Sequence, residues 1–96
     1  MATENTITLH EAAKTGDIDV VKVLIEAKAD VNYADSDGYT PIYWAACNGH
    51  ADVVKALIEA KADVNQADSC GWTPLTRASS NGHADVVKAL KEAGAK

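Results

Sequence analysis

The side chains able to do chemistry are few and widely spaced. Histidines stand at His10, His50 and His83, and cysteines at Cys47 and Cys70. Imidazoles titrate near neutrality and can move protons or bind metals. Acid–base or nucleophilic work needs a hydroxyl, thiol or carboxylate held beside the ring. No such constellation accompanies these histidines at a usable spacing. Cys47 and His50 form one C-x-x-H pair, but structural zinc requires four ligands and no second pair completes the set. Asp35, Asp37 and Gly38 are spaced like part of a calcium loop, yet the first and twelfth ligand positions would fall on Tyr33 and Trp44. The two cysteines form no C-x-x-C and no disulfide framework, so both are expected to be free thiols. The expectation is a protein without catalysis, cofactor, metal or small-molecule substrate.

The bulk composition narrows the classes further. The chain has 96 residues, 47% hydrophobic and 24% charged, with a formal net charge of −5. Such a length fits one small globular domain, residues 1–96. An acidic chain with nine scattered basic residues has no phosphate-tracking stripe, so no nucleic acid is expected as partner. No apolar run approaches the roughly 20 residues needed to cross a bilayer, and Met1–Asn5 lacks the basic and apolar regions of a secretion signal. A cytosolic or recombinant setting is the expectation. The aromatics are three Tyr, two Trp and no Phe. Phe is the aromatic that needs no polar partner in a core, whereas Tyr and Trp favour binding surfaces.

The elements that position these residues repeat. Sliding the chain against itself by 33 leaves 63 pairs, of which 36 are identical. Gly16, Gly49 and Gly82 share that register, as do Leu24, Leu57 and Leu90. Each unit reads as two short helices and a turn. In the middle unit Thr40 is placed to cap the first helix, and Pro41 suits the first helical position, where its missing N–H costs nothing. Ile42, Ala45 and Ala46 make a narrow apolar face, and Gly49 ends the helix in the left-handed conformation. A second helix from about Ala51 turns Val54, Leu57 and Ile58 inward. Asp35 and Asp68 precede turns in which each carboxylate can bond its own backbone.

These residues resemble the ankyrin repeat, whose 33-residue unit carries Thr-Pro-Leu-His-x-Ala-Ala. That signature stands as Thr40-Pro41-Ile42-Tyr43-Trp44-Ala45-Ala46 and Thr73-Pro74-Leu75-Thr76-Arg77-Ala78-Ser79, and the first unit keeps Leu9-His10-Glu11-Ala12-Ala13. Gly-His steps follow at Gly49-His50 and Gly82-His83, and Ala29-Asp30-Val31-Asn32 recurs at Ala62-Asp63-Val64-Asn65. The resemblance implies an all-α solenoid of three stacked helix-turn-helix units, about 1–33, 34–66 and 67–96, with projecting turns and a concave groove. It implies histidines that bridge loops and helix ends, and protein–protein recognition without catalysis or cofactor. The outer units are expected to act as caps that close a complete stack. Ile25 and Ile58 give way to Lys91, Ala13 and Ala46 to Ser79, and Thr8–Glu11 forms a capping box.

Variation between units points to the working face. The second helices are near copies, Ala51–Leu57 matching Ala84–Leu90, whereas differences gather in the turns and first helices. The predicted partner-binding residues are Tyr33, Tyr39, Tyr43, Trp44, Cys47, Asn48, Trp72, Arg77 and Ser80. Tyr39 and Trp72 share one register and Trp44 and Arg77 another, so two parallel rows are expected. Tyr, Trp and Arg are the residues of binding hot spots. The reading is a non-catalytic binding module, monomeric when free, whose aromatic concave face grips a folded protein partner. It resembles engineered consensus ankyrin binders. The alternative weighed beside it is an idealised stability scaffold with no specific partner.

Overall fold

The computed structural model describes residues 8–96, so Met1–Asn5 and the start of the first unit lie outside the described residues. Six helices follow in order: α1 (Leu9–Thr15), α2 (Ile18–Glu26), α3 (Pro41–Cys47), α4 (Ala51–Glu59), α5 (Pro74–Ser80) and α6 (Ala84–Glu92). Within each unit the two helices pack against each other. Between units the first helices stack as α1, α3, α5 and the second helices as α2, α4, α6. No strand occurs among the described residues.

Local chemistry sets the ends of the first helices. Thr40 and Thr73 are extended N-caps whose hydroxyls accept from Tyr43 N and Thr76 N, each with proline following. The box expected at Thr8 is only half formed: Thr8 accepts from Glu11 N at 3.1 Å, without the reciprocal bond from Glu11. The full box occurs at Thr73, where Thr76 Oγ1 returns to Thr73 N at 2.8 Å. Thr76 is short enough to reach back over its own turn, so the repeat with no aromatic or imidazole there closes its helix locally.

The second helices start differently in the first unit than in the others. Asp17 caps α2 by accepting from Val20 N. His50 and His83 occupy the same register at α4 and α6 but make no side-chain cap. Their rings reach back to the preceding unit, His50 Nε2 to Lys14 O at 3.1 Å and His83 Nε2 to Cys47 O at 3.1 Å. A carbonyl only accepts, so Nε2 carries the proton in both. Asn48 and Asn81 donate to the same two oxygens at 3.0 and 2.9 Å. The Asn-Gly-His triplet is thus an inter-unit rung, and the glycine in the same register of the preceding unit makes room for its histidine. A Cβ on Gly49 (φ +76°) would lie 2.6 Å from His83 Nδ1. A second ladder runs through the loops, Asn32 Oδ1 accepting from Asp63 N (2.7 Å) and Asn65 Oδ1 from Lys96 N (3.0 Å).

The core lies between the stacked pairs. Ala12, Ala13, Ala45, Ala46 and Ala78 let the first helices approach closely, while Val21, Val53, Val54, Leu57, Val86 and Leu90 fill the space beneath. With so many small side chains at the contacts, no Phe is needed to fill this interior.

Candidate functional site

The turns ahead of α3 and α5 are built alike. Asp35 Oδ1 accepts from Asp37 N and Tyr39 N, both at 3.0 Å, and Asp68 Oδ1 accepts from Cys70 N (2.8 Å) and Trp72 N (2.9 Å). Each carboxylate therefore fixes the backbone of the aromatic four residues on. Ser69 ties the two turns together, its Oγ donating to Asp37 O at 2.6 Å and its N to the same oxygen at 3.2 Å. Tyr39 and Trp72 are delivered by this scaffold at the mouth of the first helices.

From there one line of contacts crosses the face. Trp44 meets Tyr39 edge to face, centroids 5.1 Å apart at 82°, and Tyr39 stacks on Tyr43 at 4.7 Å and 10°. Tyr43 Oη accepts from Arg77 Nε at 2.7 Å, and the Arg77 guanidinium lies 4.2 Å from the centroid of the Trp72 ring. At the other end Lys14 Nζ sits 4.8 Å over Trp44. The line links Tyr39 to Trp72 through Tyr43 and Arg77, so the face is a single interlocked cluster and not two independent rows.

Tyr43 requires a correction. Expected as an apolar contributor to the binding face, it is only 2% exposed. Its hydroxyl donates to Asp68 Oδ2 at 2.5 Å, and Asp68 is itself buried. The cause is register: Tyr43 holds the place of His10, whose Nε2 donates to Tyr39 O at 2.9 Å. A side chain there points at the following unit, and the longer phenol reaches past the backbone to a carboxylate. Burial first, and then the Asp68 carboxylate, push the Tyr43 hydroxyl well above its ordinary range. The same hydrogen bond is the main force holding the Asp68 carboxyl below its usual value, helped by Trp72 N, Cys70 N and Arg77. Tyr43 also raises Arg77 further, so the guanidinium stays charged.

The remaining expected residues fall into different settings. Trp44 is half-buried against the core, whereas Trp72 is 38% exposed. Asn48 has its amide committed to the Lys14 carbonyl and serves the stack. Cys47 is partly covered, and burial pushes its thiol up, which makes it a poor nucleophile at neutral pH. Tyr33, 61% exposed, stands edge-on to His10 at 5.6 Å and borders a shallow depression of about 440 Å³ with Leu9 and Asp30. Ser80 lies beyond the cluster, in a depression at the end of the stack with Leu75, Val87, Lys91 and Lys96. Two participants were missing from the sequence reading. Asp68 was assigned only to its turn, which occupies one of its two oxygens. Lys14 had a visible signal, since it and Arg77 are the basic residues of the first helices. No group of three or more His, Cys, Asp or Glu able to hold a metal occurs among the described residues.

Comparison with known proteins agrees with this architecture. A family profile described as Ankyrin repeats (3 copies) matches residues 8–96. An ankyrin repeat protein of fowlpox virus is 42% identical over 41 residues, an alignment covering 43% of this chain and 29% of that relative. Three helix pairs joined by Asn-Gly-His rungs, matched over all the described residues, place the chain in the ankyrin repeat family, whose repeats generally act as protein–protein interaction modules.

Proposed function

We propose that the chain is a binding module that grips a folded protein partner with the cluster Tyr39, Trp44, Trp72 and Arg77. The observation that carries this reading is Trp72. It is a large apolar side chain left 38% exposed, its backbone N–H held by a turn carboxylate and its ring flanked by Arg77, in one of two units whose second helices are near copies. Rigid, preorganised aromatics bind with little ordering penalty. Packing demands on equivalent positions of a solenoid are similar, so divergence concentrated in turns and first helices supports selection for a ligand. The near-copied framework also supports an engineered consensus scaffold as its origin. The free protein is a monomer on this reading, and the bound partner covers roughly 800 Å² of it. No catalytic step is assigned to it, since the histidines donate to backbone carbonyls and the Cys47 thiol is held protonated.

The test is an alanine scan against a partner obtained by selection. Trp72→Ala is expected to weaken binding by about 2 kcal/mol, roughly thirtyfold in Kd, with the melting temperature nearly unchanged. A Trp72→Ala variant that melts far lower and binds as before would make the ring a packing residue and end this reading.

A further inference from the structure

We propose that the concave face selects an acidic epitope: one Asp or Glu carboxylate of a folded partner seats on the Nη edge of Arg77, beside the Trp72 ring. This rests on reading the face as a protein-binding one and names what that face recognises. Of the nine basic residues, all but Lys14 and Arg77 lie in α2, α4, α6 or the segments that follow them. The two exceptions are the two cations placed over Trp rings, Lys14 at one end of the aromatic line and Arg77 between Tyr43 and Trp72. Lys14 and Arg77 are thus the two basic residues carried by the first helices.

Arg77 is held as a receptor would hold it. Its Nε donates to Tyr43 Oη at 2.7 Å, and its Cζ lies 4.2 Å from the centroid of the Trp72 ring. Asp68 Oδ2 is 4.0 Å from Nη2, close enough to orient the cation and too far for a hydrogen bond. The Asp68 oxygens already accept from Tyr43, Cys70 and Trp72. The guanidinium therefore keeps its Nη donors, and its side chain is 33% exposed. A planar fork whose Nη groups make no hydrogen bond among the described residues matches a carboxylate in bidentate geometry, and its fixed pose lowers the ordering cost of the contact. Two cations on a chain of net charge −5 suit a single carboxylate flanked by apolar side chains, and give no track for a polyanion. Among the described residues Asp68 is the carboxylate within 4.0 Å of Arg77, and Asp35 makes no ion pair with it.

The experiment uses a displayed library of a small helical domain, randomised on one face and selected on the wild-type chain. Selected clones are expected to carry an Asp or Glu whose change to Asn or Gln weakens binding about tenfold or more. Arg77→Lys, which keeps the charge and loses the fork, is expected to weaken them similarly. Combining the two changes is expected to add little, because both remove the same contact. Clones weakened by Trp72→Ala but unaffected by Arg77→Lys and by the amide swaps would overturn the carboxylate and leave the binding face standing. Clones indifferent to Trp72→Ala as well, or a selection that yields none, would overturn both. Should Arg77→Lys melt early, the amide swap on the partner, measured with the unaltered chain, decides alone.

Discussion

At the scale of single residues, the informative pair is Tyr43 and Trp72. Both are large, both vary between units, and both lie in the same cluster, yet one faces the stack and the other solvent. Tyr43 joins Asp68 of the following turn to Arg77 of the following helix, so its hydroxyl fastens two units. Tyr43→Phe keeps the ring and removes that fastening; a loss of about 2 kcal/mol in unfolding free energy is expected by urea titration. The pH dependence follows from the same contacts. Asp68 binds its proton less readily folded than unfolded, so its contribution is complete above about pH 4 and is lost as pH falls below that. Asp68→Asn is therefore expected to melt lower than wild type at pH 7, with the gap narrowing as pH falls below about 4. A gap that stays constant across that range would remove the carboxylate from the account. Tyr43 acts oppositely: its folded hydroxyl resists ionisation, so its contribution is complete below about pH 10 and is lost above it.

At the scale of elements, the rungs between units matter more than the helices themselves, which at seven or nine residues are too short to persist alone. Gly49 and Gly82 separate the two roles a glycine has here. Both have φ near +78°, at +76° and +78°, but a Cβ on Gly49 would strike His83 while one on Gly82 meets nothing within 4 Å. Gly82→Ala is expected to cost about 1 kcal/mol from backbone strain, and Gly49→Ala about 2–3 kcal/mol because the His83 rung is also displaced. Equal losses in denaturant would mean the rung contributes nothing. Past α2 and α4, Lys28 and Lys61 hold the left-handed conformation at φ 70° and 71°, where the third unit has Gly94 at 96°. Lys28→Gly and Lys61→Gly are each expected to raise stability by about 0.5–1 kcal/mol, read from the urea midpoint.

Much of this level was legible in the sequence. Thr-Pro at helix starts, Gly after helix ends, Asp ahead of the turns and the 33-residue register all have local causes, and local causes leave marks in the chain. The direction of Tyr43 was not legible, because it depends on what the next unit places opposite. Variation between units marks Tyr43 and Arg77 together without saying that they touch. The half-formed box at Thr8 was invisible for a related reason: the Thr-x-x-Glu pattern permits the reciprocal bond but does not compel it.

At the scale of the whole molecule, three units share one continuous core, and the two ladders, the buried tyrosine and the alanine contacts all bind unit to unit. The rigid back of the stack holds the turns in register, and the turns hold Tyr39 and Trp72. The central claim is that partners meet this side. The chain has two tryptophans, Trp44 and Trp72, so its indole N–H signals report on that face alone. A nitrogen–proton correlation spectrum recorded while a selected partner is titrated in is the direct test. The prediction is that the Trp72 indole signal shifts most, the Trp44 signal follows, and the amides of α2, α4 and α6 stay in place. Unmoved indoles with shifts gathered on α2, α4 and α6 would contradict it.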